Sequence, residues 1–390
     1  MVLLMQTALF FSTTTPSVYA NGKKSEPAAQ TSRKKEIPAQ KRPLPDILGV
    51  CHARGLYRLT DTDFLNEGGD KILELGSRVI KIWLTNGTAE SPQKMYPWNS
   101  KWPKAHTLVE TAKLPYFKAL FDKPFTTIVM NVVSMGRPPY YWKNRITGKQ
   151  EEDETRQFCE LTTYLLTEYR GTGKTFILQH HEGDWHVRGH TRREEDPAPA
   201  ALKNMIRWLN ARQAGVNKAR AEIESKGVHV YHAAEVNLVV ESMTKGRPNM
   251  VNKVLPHTKL DLVSYSAWDA TVRYPDNPDM LKKALDFIAK NLPDSPDFGA
   301  GNVYLGEYGL PENNFKPAVL KKVIRSATST ALEWGCPYVL YWQIYCNEPI
   351  DRTTVKPPIT SNRHARGFWM IRPDGSRSWA WSYFSTLLQE

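Results

Sequence analysis

NVYLGEY (residues 302–308), then PAVLKKVIRSATSTALEW (317–334), then YVLYWQ (338–343): an apolar run, an amphipathic segment and a second apolar run decide the fold of this chain. The two short runs are rich in Val, Leu and Tyr and do not alternate strictly, as expected of strands covered on both faces. The segment between them has helical spacing. Upstream the same unit recurs. Further apolar runs are Ile47–Val50, Arg78–Leu84, Thr126–Val133, Thr175–Leu178 (continuing into QHHEGDW), Val228–Glu235 and Leu260–Ser264. Helical spacing is read in Phe64–Leu75, Leu114–Phe121, Glu151–Tyr169, Ala200–Lys226, Met280–Leu292 and Trp379–Leu388, with a shorter segment at Pro248–Leu255. Strand and helix alternating eight times give a parallel sheet with right-handed crossovers, and eight units close into a (β/α)8 barrel, an α/β fold. The competing architecture is an open doubly wound sheet, but no Gly-rich nucleotide turn follows the first run. GTGKT at 171–175 is a turn and not a phosphate loop: Glu168 stands where that loop needs glycine, and the fragment precedes a strand instead of following one.

The chain has 390 residues, 41% of them hydrophobic, enough for a large core in one domain spanning 45–390. Residues 1–20 carry no charge, contain a short apolar run and end Val18-Tyr19-Ala20, which predicts a signal peptide and a secreted or periplasmic protein. Residues 21–44 offer almost nothing to bury and read as a basic disordered linker carrying five of the twelve net positive charges. The remaining charge is too small for a nucleic-acid footprint. It is compatible with an anionic glycan without requiring one. No membrane contact is expected after signal cleavage, and a monomer is expected. Cys51, Cys159, Cys336 and Cys346 lack zinc spacing. Cys51 and Cys346, at neighbouring strand ends, form the candidate disulfide.

In a barrel, functional groups collect where strands end. Here those ends carry His52 and Arg54 after the first strand, Lys81 and Trp83 in the second, and Asn131 in the third. The fourth leads into His180, His181, Glu182 and Trp185, the fifth into Glu235 and Asn237, and the sixth into Tyr265 and Trp268. Glu307 lies in the seventh, and Trp342 and Gln343 end the eighth. A packed barrel interior wants Val, Ile and Leu there, so the coincidence points to a site. Glycoside cleavage needs two carboxyl groups flanking one bond. Glu182 and Glu307, nearly opposite on the ring, converge over its centre as the candidate catalytic pair, with Glu235 as the alternative acid. The plainer role for Glu307 is an ion pair with Arg54 or Lys81.

Gly306-Glu307-Tyr308-Gly309 after an apolar strand resembles the nucleophile strand of clan A glycoside hydrolases. That family is a (β/α)8 barrel whose acid/base Glu ends strand four, with a nucleophile contact from strand six and a Trp ending strand eight. Glu182, Tyr265 and Trp342 occupy the matching places. The resemblance covers about residues 46–390 in layout and is close in sequence only at strand seven. His181 precedes Glu182 where the family usually has Asn, and Lys81 stands near its frequent strand-two Arg.

The resemblance implies a retaining hydrolase of a poly- or oligosaccharide with no cofactor and no metal. Glu307 would attack, Glu182 would act as acid and base, Tyr265 would hold Glu307, and Trp342 and Trp185 would stack on sugar. Arg54, Lys81, His180 and Gln343 would bind hydroxyls or an acidic group. His52, Trp83, Asn131, His181, Asn237 and Trp268 complete the expected substrate contacts. Long loops carrying Trp98, Trp102 and PPYYW (138–142) are candidate groove walls, and GFWMIRPDGSRS (367–378) reads as a hairpin. The rivals are a metal-dependent barrel hydrolase of the deacetylase or amidohydrolase type, using His52, His180, His181, Glu182 and His232, and a glycan-binding pseudoenzyme. A transglycosylase would use the same two carboxylates.

Overall fold

The computed structural model describes residues 42–85, 91–138, 140–275 and 277–389. The expected signal peptide and residues 21–41 of the expected linker lie outside the described residues. Eight strands form a closed parallel barrel in chain order: β1 Leu48–Cys51, β2 Val79–Leu84, β3 Thr127–Val132, β4 Thr175–His180, β5 His229–Val236, β6 Leu262–Ser266, β7 Val303–Tyr308 and β8 Val339–Tyr341. The major helices follow the expected segments, at Phe64–Leu75, Pro115–Asp122, Gly148–Glu168, Pro199–Glu222, Asp279–Asn291, Pro317–Trp334 and Trp379–Gln389. The (β/α)8 reading therefore holds. Among the described residues no helix is long and apolar enough to cross a membrane.

Local signals set the helix ends. The Asp63 side chain accepts from the Asn66 N–H to start the helix Phe64–Leu75, left-handed Gly76 ends that helix, and left-handed Gly335 ends Pro317–Trp334. Several short helices were not foreseen, Leu108–Ala112, Gly183–Arg188 and Val239–Lys245 among them. Val239–Lys245 is two turns long, too short to show a period, and follows β5 directly. The expected hairpin forms as a tight turn, with Ile371 bridging Arg377.

Side chains of a strand point alternately inward and outward, and this parity decides the site. The interior is packed by Cys51, Val79, Val129, Ile177, Ala233, Leu262, Tyr304, Tyr338 and Leu340. Their neighbours in sequence, among them Val50, Ile80, Ile128, Phe176 and Val263, pack outward against the helices. One parity break matters. The β6–β7 register pairs Tyr265 with Leu305 but Ser266 with Glu307, so β7 carries one extra residue, Gly306. The bulge lets Tyr304 and Glu307 both face inward.

A Cβ on Gly306 would lie 1.7 Å from the Ser264 hydroxyl oxygen. Gly306→Ala is expected to cost roughly 1–3 kcal/mol by overpacking, read as a lower urea midpoint. Gly148→Ala is the control, with nothing within 4 Å of its Cβ, and should lose nothing.

Candidate active site

Above the apolar floor the interior turns polar, and the layer is built around Glu235. This carboxylate is fully buried. It accepts from Lys81 Nζ at 2.9 Å, Gln179 Nε2 at 3.0 Å, Ser264 Oγ at 3.2 Å and the Glu182 backbone N–H at 3.0 Å. Tyr304 donates to Gln179 Oε1 from below and fixes that amide's orientation. Burial alone would raise the Glu235 pKa, but Lys81, His181 and the Glu182 N–H bring it below the usual carboxylate value. Such a group is a fixed anion and a poor proton donor. The four donors commit both Glu235 oxygens to structure, which speaks against the alternative acid role.

Glu307 is the second partner of Lys81, at 2.8 Å, and also accepts from Ser266 Oγ at 3.1 Å. One ammonium thus serves two carboxylates. Burial raises the Glu307 pKa and the Glu235 charge raises it further, against the pull of Lys81 and His181. Burial opposes the Lys81 charge, but Glu235 and Glu307 together hold its pKa well above the ordinary lysine value. A reaction that needs ionised Glu307 then loses rate on acidification at a higher pH than a free carboxylate near 4.3 would dictate. The acid limb of kcat/KM is expected above that value, and a limb at or below it would refute the assignment.

Glu182 follows β4 in a left-handed conformation, φ 60° and ψ 34°, and its carbonyl accepts from Trp185 and His186 to open the helix Gly183–Arg188. A non-glycine residue there costs on the order of 1–3 kcal/mol and recurs at functional sites. The turn brings its side chain back to the axis: carboxylate oxygens of Glu182, Glu235 and Glu307 all lie within 4.8 Å of one another. Asp184 holds the turn, accepting from the backbone of Asn237 and Leu238 through one oxygen and of Met250 through the other.

Three carboxylates so close could bind a cation, but the Lys81 ammonium already fills that role between Glu235 and Glu307. Of the four imidazoles weighed for a metal hydrolase, His181 faces the axis beside Trp83 and the other three do not. His52 bonds the Phe64 carbonyl region under helix Phe64–Leu75, His180 packs on Trp208, and His232 meets Gln213 and Phe158, all outside the barrel wall.

His52 and His180 are therefore corrected as substrate contacts. Burial lowers the His52 pKa to about 4, so it is a neutral packing residue. Tyr265 is corrected as well: it faces outward and donates to Asp269 at 2.5 Å, and Ser266 makes the strand-six contact to Glu307. Asn237 serves to cap Asp184, and Trp268 packs edge-on against Phe368. Arg54 lies against Met95, so of the two ion-pair partners weighed for Glu307 the structure supplies Lys81. Gln343 Oε1 accepts from the Ala53 N–H.

The remaining candidates frame the axis. Trp83 meets Trp342 edge-to-face at 6.0 Å and His181 at 5.5 Å. Asn131 stands between Trp83 and Gln179 in the ring register, with both amide atoms buried and unpartnered among the described residues. Trp185 is almost fully buried beside Arg193. Roles for Ser264, Ser266, Gln179, Tyr304 and Asp184 were not assigned from sequence. The signal existed for the serines, two small polar residues flanking Tyr265 with period two.

The candidate disulfide does not form, and all four cysteines are free thiols. Cys51 packs inside the barrel while Cys346 lies in the outer layer, its Sγ directed to the Glu348 carbonyl. The sheet wall separates them.

No known protein family matches the sequence, and no curated protein is similar to it. Solved structures of similar fold include Bacteroides uniformis β-glucuronidase 2, at 12% identity and TM-score 0.49 over 88% of this chain and 35% of that one. Others are a broad-specificity endoglucanase from Clostridium acetobutylicum, at 11% and 0.49 over 91% of this chain and 100% of that one, and a fungal β-1,4-galactanase, at 11% and 0.47 over 80% and 89%. The chain spans only about a third of the length of the Bacteroides uniformis β-glucuronidase. At these identities the likeness is one of fold.

Proposed function

We propose that this chain is a glycoside hydrolase acting with retention, with Glu307 as nucleophile and Glu182 as acid and base. The observation that carries the reading is the separation of at most 4.8 Å between their nearest carboxylate oxygens over the barrel axis. Retaining pairs stand roughly 5–5.5 Å apart, and inverting pairs, which must admit a water, roughly 6.5–9.5 Å.

In the first step a Glu307 oxygen bonds to the anomeric carbon as the bond to the leaving oxygen breaks, and Glu182 gives that oxygen its proton. In the second, Glu182 takes a proton from water, whose oxygen attacks the same carbon and frees Glu307. Lys81 and Ser266 orient Glu307 and favour its anionic form, while Glu235 holds Lys81 and the Glu182 backbone in position. The sugar ring would lie against Trp342 and Trp83, with His181 and Asn131 offering polar contacts. An exported protein acting on a poly- or oligosaccharide fits this reading, because residues 1–20, uncharged and with a short apolar run, match a signal peptide.

The test is reducing-end release from a panel of neutral and acidic polysaccharides, with and without chelator, followed by proton NMR of the first anomer formed. Release indifferent to chelator, with the substrate's anomeric configuration kept, is the expected result. The inverted anomer would refute direct attack by Glu307, and activity lost to chelator would move the case to a metal enzyme. Binding of a glycan without any release would support the pseudoenzyme.

A further inference from the structure

Several rim carboxylates of the catalytic face stand beside cations of their own: Glu195 pairs with Arg192, Asp196 with Arg247 and Glu348 with Arg366. The loops after β2 and β3 hold the reverse, cations without carboxylates. Among the described residues, which leave out Glu90, these two loops carry Lys94, Lys101, Lys104, Arg137, Lys143 and Arg145 and no Asp or Glu. Arg137 is paired with Asp153 of the following helix. Lys101, Lys104, Lys143 and Arg145 meet no carboxylate among the described residues. A rim of one sign beside a cleft concentrates ligands of the other sign.

Lys143 ties this rim to the catalytic pair. Its loop stacks Tyr140 on His186, ring centroids 4.1 Å apart, and the Lys143 ammonium fills the place that a Cβ on Gly189 would take. Both contacts fall on the helix Gly183–Arg188 and its end, and that helix opens at Glu182. Its six residues, at 1.5 Å each, span about 9 Å, so Lys143 stands beside the cleavage point and not at it. The side chain is half-buried. The helix end offers it the partial charge of carbonyls, and no carboxylate neutralises it. The centre itself repels an acid, because Glu182, Glu235 and Glu307 lie within 4.8 Å of one another around the single Lys81 ammonium. An acidic group of the substrate therefore falls on a neighbouring unit, on the side where Trp83 of β2 and Asn131 of β3 line the axis.

We propose that Lys143 binds a carboxylate or sulfate on the sugar unit next to the one cleaved, with Lys101, Lys104 and Arg145 drawing the chain to that side. The substrate is then an anionic polysaccharide. This rests on the glycosidase reading and deepens it by naming the substrate class. An ammonium suits either anion, being a compact charge with three donors.

The test compares acidic polysaccharides with the same chains discharged. Glucuronoxylan, alginate and polygalacturonate are assayed beside their carboxyl-reduced forms, and κ-carrageenan and fucoidan beside their desulfated forms, for reducing ends released. The wild type is expected to favour one charged form over its discharged form by at least about tenfold in kcat/KM, the worth of one hydrogen bond to a charged group. Which pair responds tells carboxylate from sulfate. Lys143→Met should lower that ratio by about tenfold, chiefly through KM, because the contact is made before and during the reaction alike. Lys143→Arg, which keeps the charge, should hold most of it. Added salt should erode the ratio in the wild type, and less so when Lys101→Gln, Lys104→Gln and Arg145→Gln are combined. A wild-type ratio near one overturns the proposal and leaves the glycosidase reading intact. So does a ratio that Lys143→Met leaves unchanged, including an equal fall on both forms as from a purely structural role. No release from any charged, discharged or neutral polysaccharide would refute the glycosidase reading, and the proposal with it.

Discussion

Glu307→Gln is expected to lower kcat/KM on every substrate by at least about four orders of magnitude, because the nucleophile is lost and no other group replaces it. Glu182→Gln should behave differently, and the difference assigns the roles. A sugar leaving group departs as a poor alkoxide unless protonated, so the variant should lose roughly 10²–10⁴-fold on oligosaccharides. A dinitrophenolate leaves without a proton, so with that aglycone the first step should be nearly unimpaired. The second step, which needs Glu182 as base, then limits turnover, and a burst of dinitrophenolate should precede a slow steady state. The same pattern in the Glu307 variant would reverse the two assignments. An equal loss on both substrate types in both variants would refute the division of labour altogether. Both variants keep the size of the side chain. Glu307→Gln still offers an oxygen to Lys81, and the Glu182 backbone contact to Glu235 does not involve the side chain. A general loss of structure is therefore not expected to mimic either outcome.

The barrel was legible because its signal is redundant: eight apolar runs and the helices between them fix a parallel sheet even where single boundaries shift by a residue. Glu182, Glu307 and Lys81 were legible for a related reason, since charged groups at strand ends have no place in an apolar interior. Side-chain direction was not. His180 and His181 are consecutive, so one must face outward, and composition says nothing about which. Parity settles it: His181 joins Trp83 at the axis and His180 packs on Trp208. On β6 the large aromatic Tyr265 drew the functional role, yet Ser264 and Ser266 share the inward parity and reach the two glutamates. The bulge at Gly306 adds a residue that no alternation pattern announces, and the left-handed turn at Glu182 redirects a side chain that simple counting sends outward. The centrality of Glu235 was also hidden, because four of its contacts come from three segments far apart in the chain.

Lys81 is where stability and chemistry meet, and Lys81→Met should expose both. The variant keeps an unbranched chain one atom shorter but leaves Glu235 and Glu307 buried without the Lys81 counter-ion. Removing one partner of a buried pair costs about 3–5 kcal/mol, and activity should fall as Glu307 loses the charge that keeps it ionised. The dependence on pH identifies the cause. In the wild type Lys81 has a raised pKa, so its contribution is fully present below the unfolded value near 10.4 and fades only as pH rises through the folded value. In the variant the two carboxylates prefer to be neutral, so their folded pKa values lie above the unfolded 4.3 and the fold loses stability as pH rises through the interval between them. The stability gap between wild type and variant should therefore be wide at pH 8 and narrow toward pH 4.5, measured by urea unfolding at both. A gap independent of pH would mean that the loss is one of packing alone, and that the paired charges are not what holds Glu307 in its reactive form. If the gap narrows while activity does not return at low pH, the two roles separate: protonation relieves the strain on the fold by the same event that removes the nucleophile.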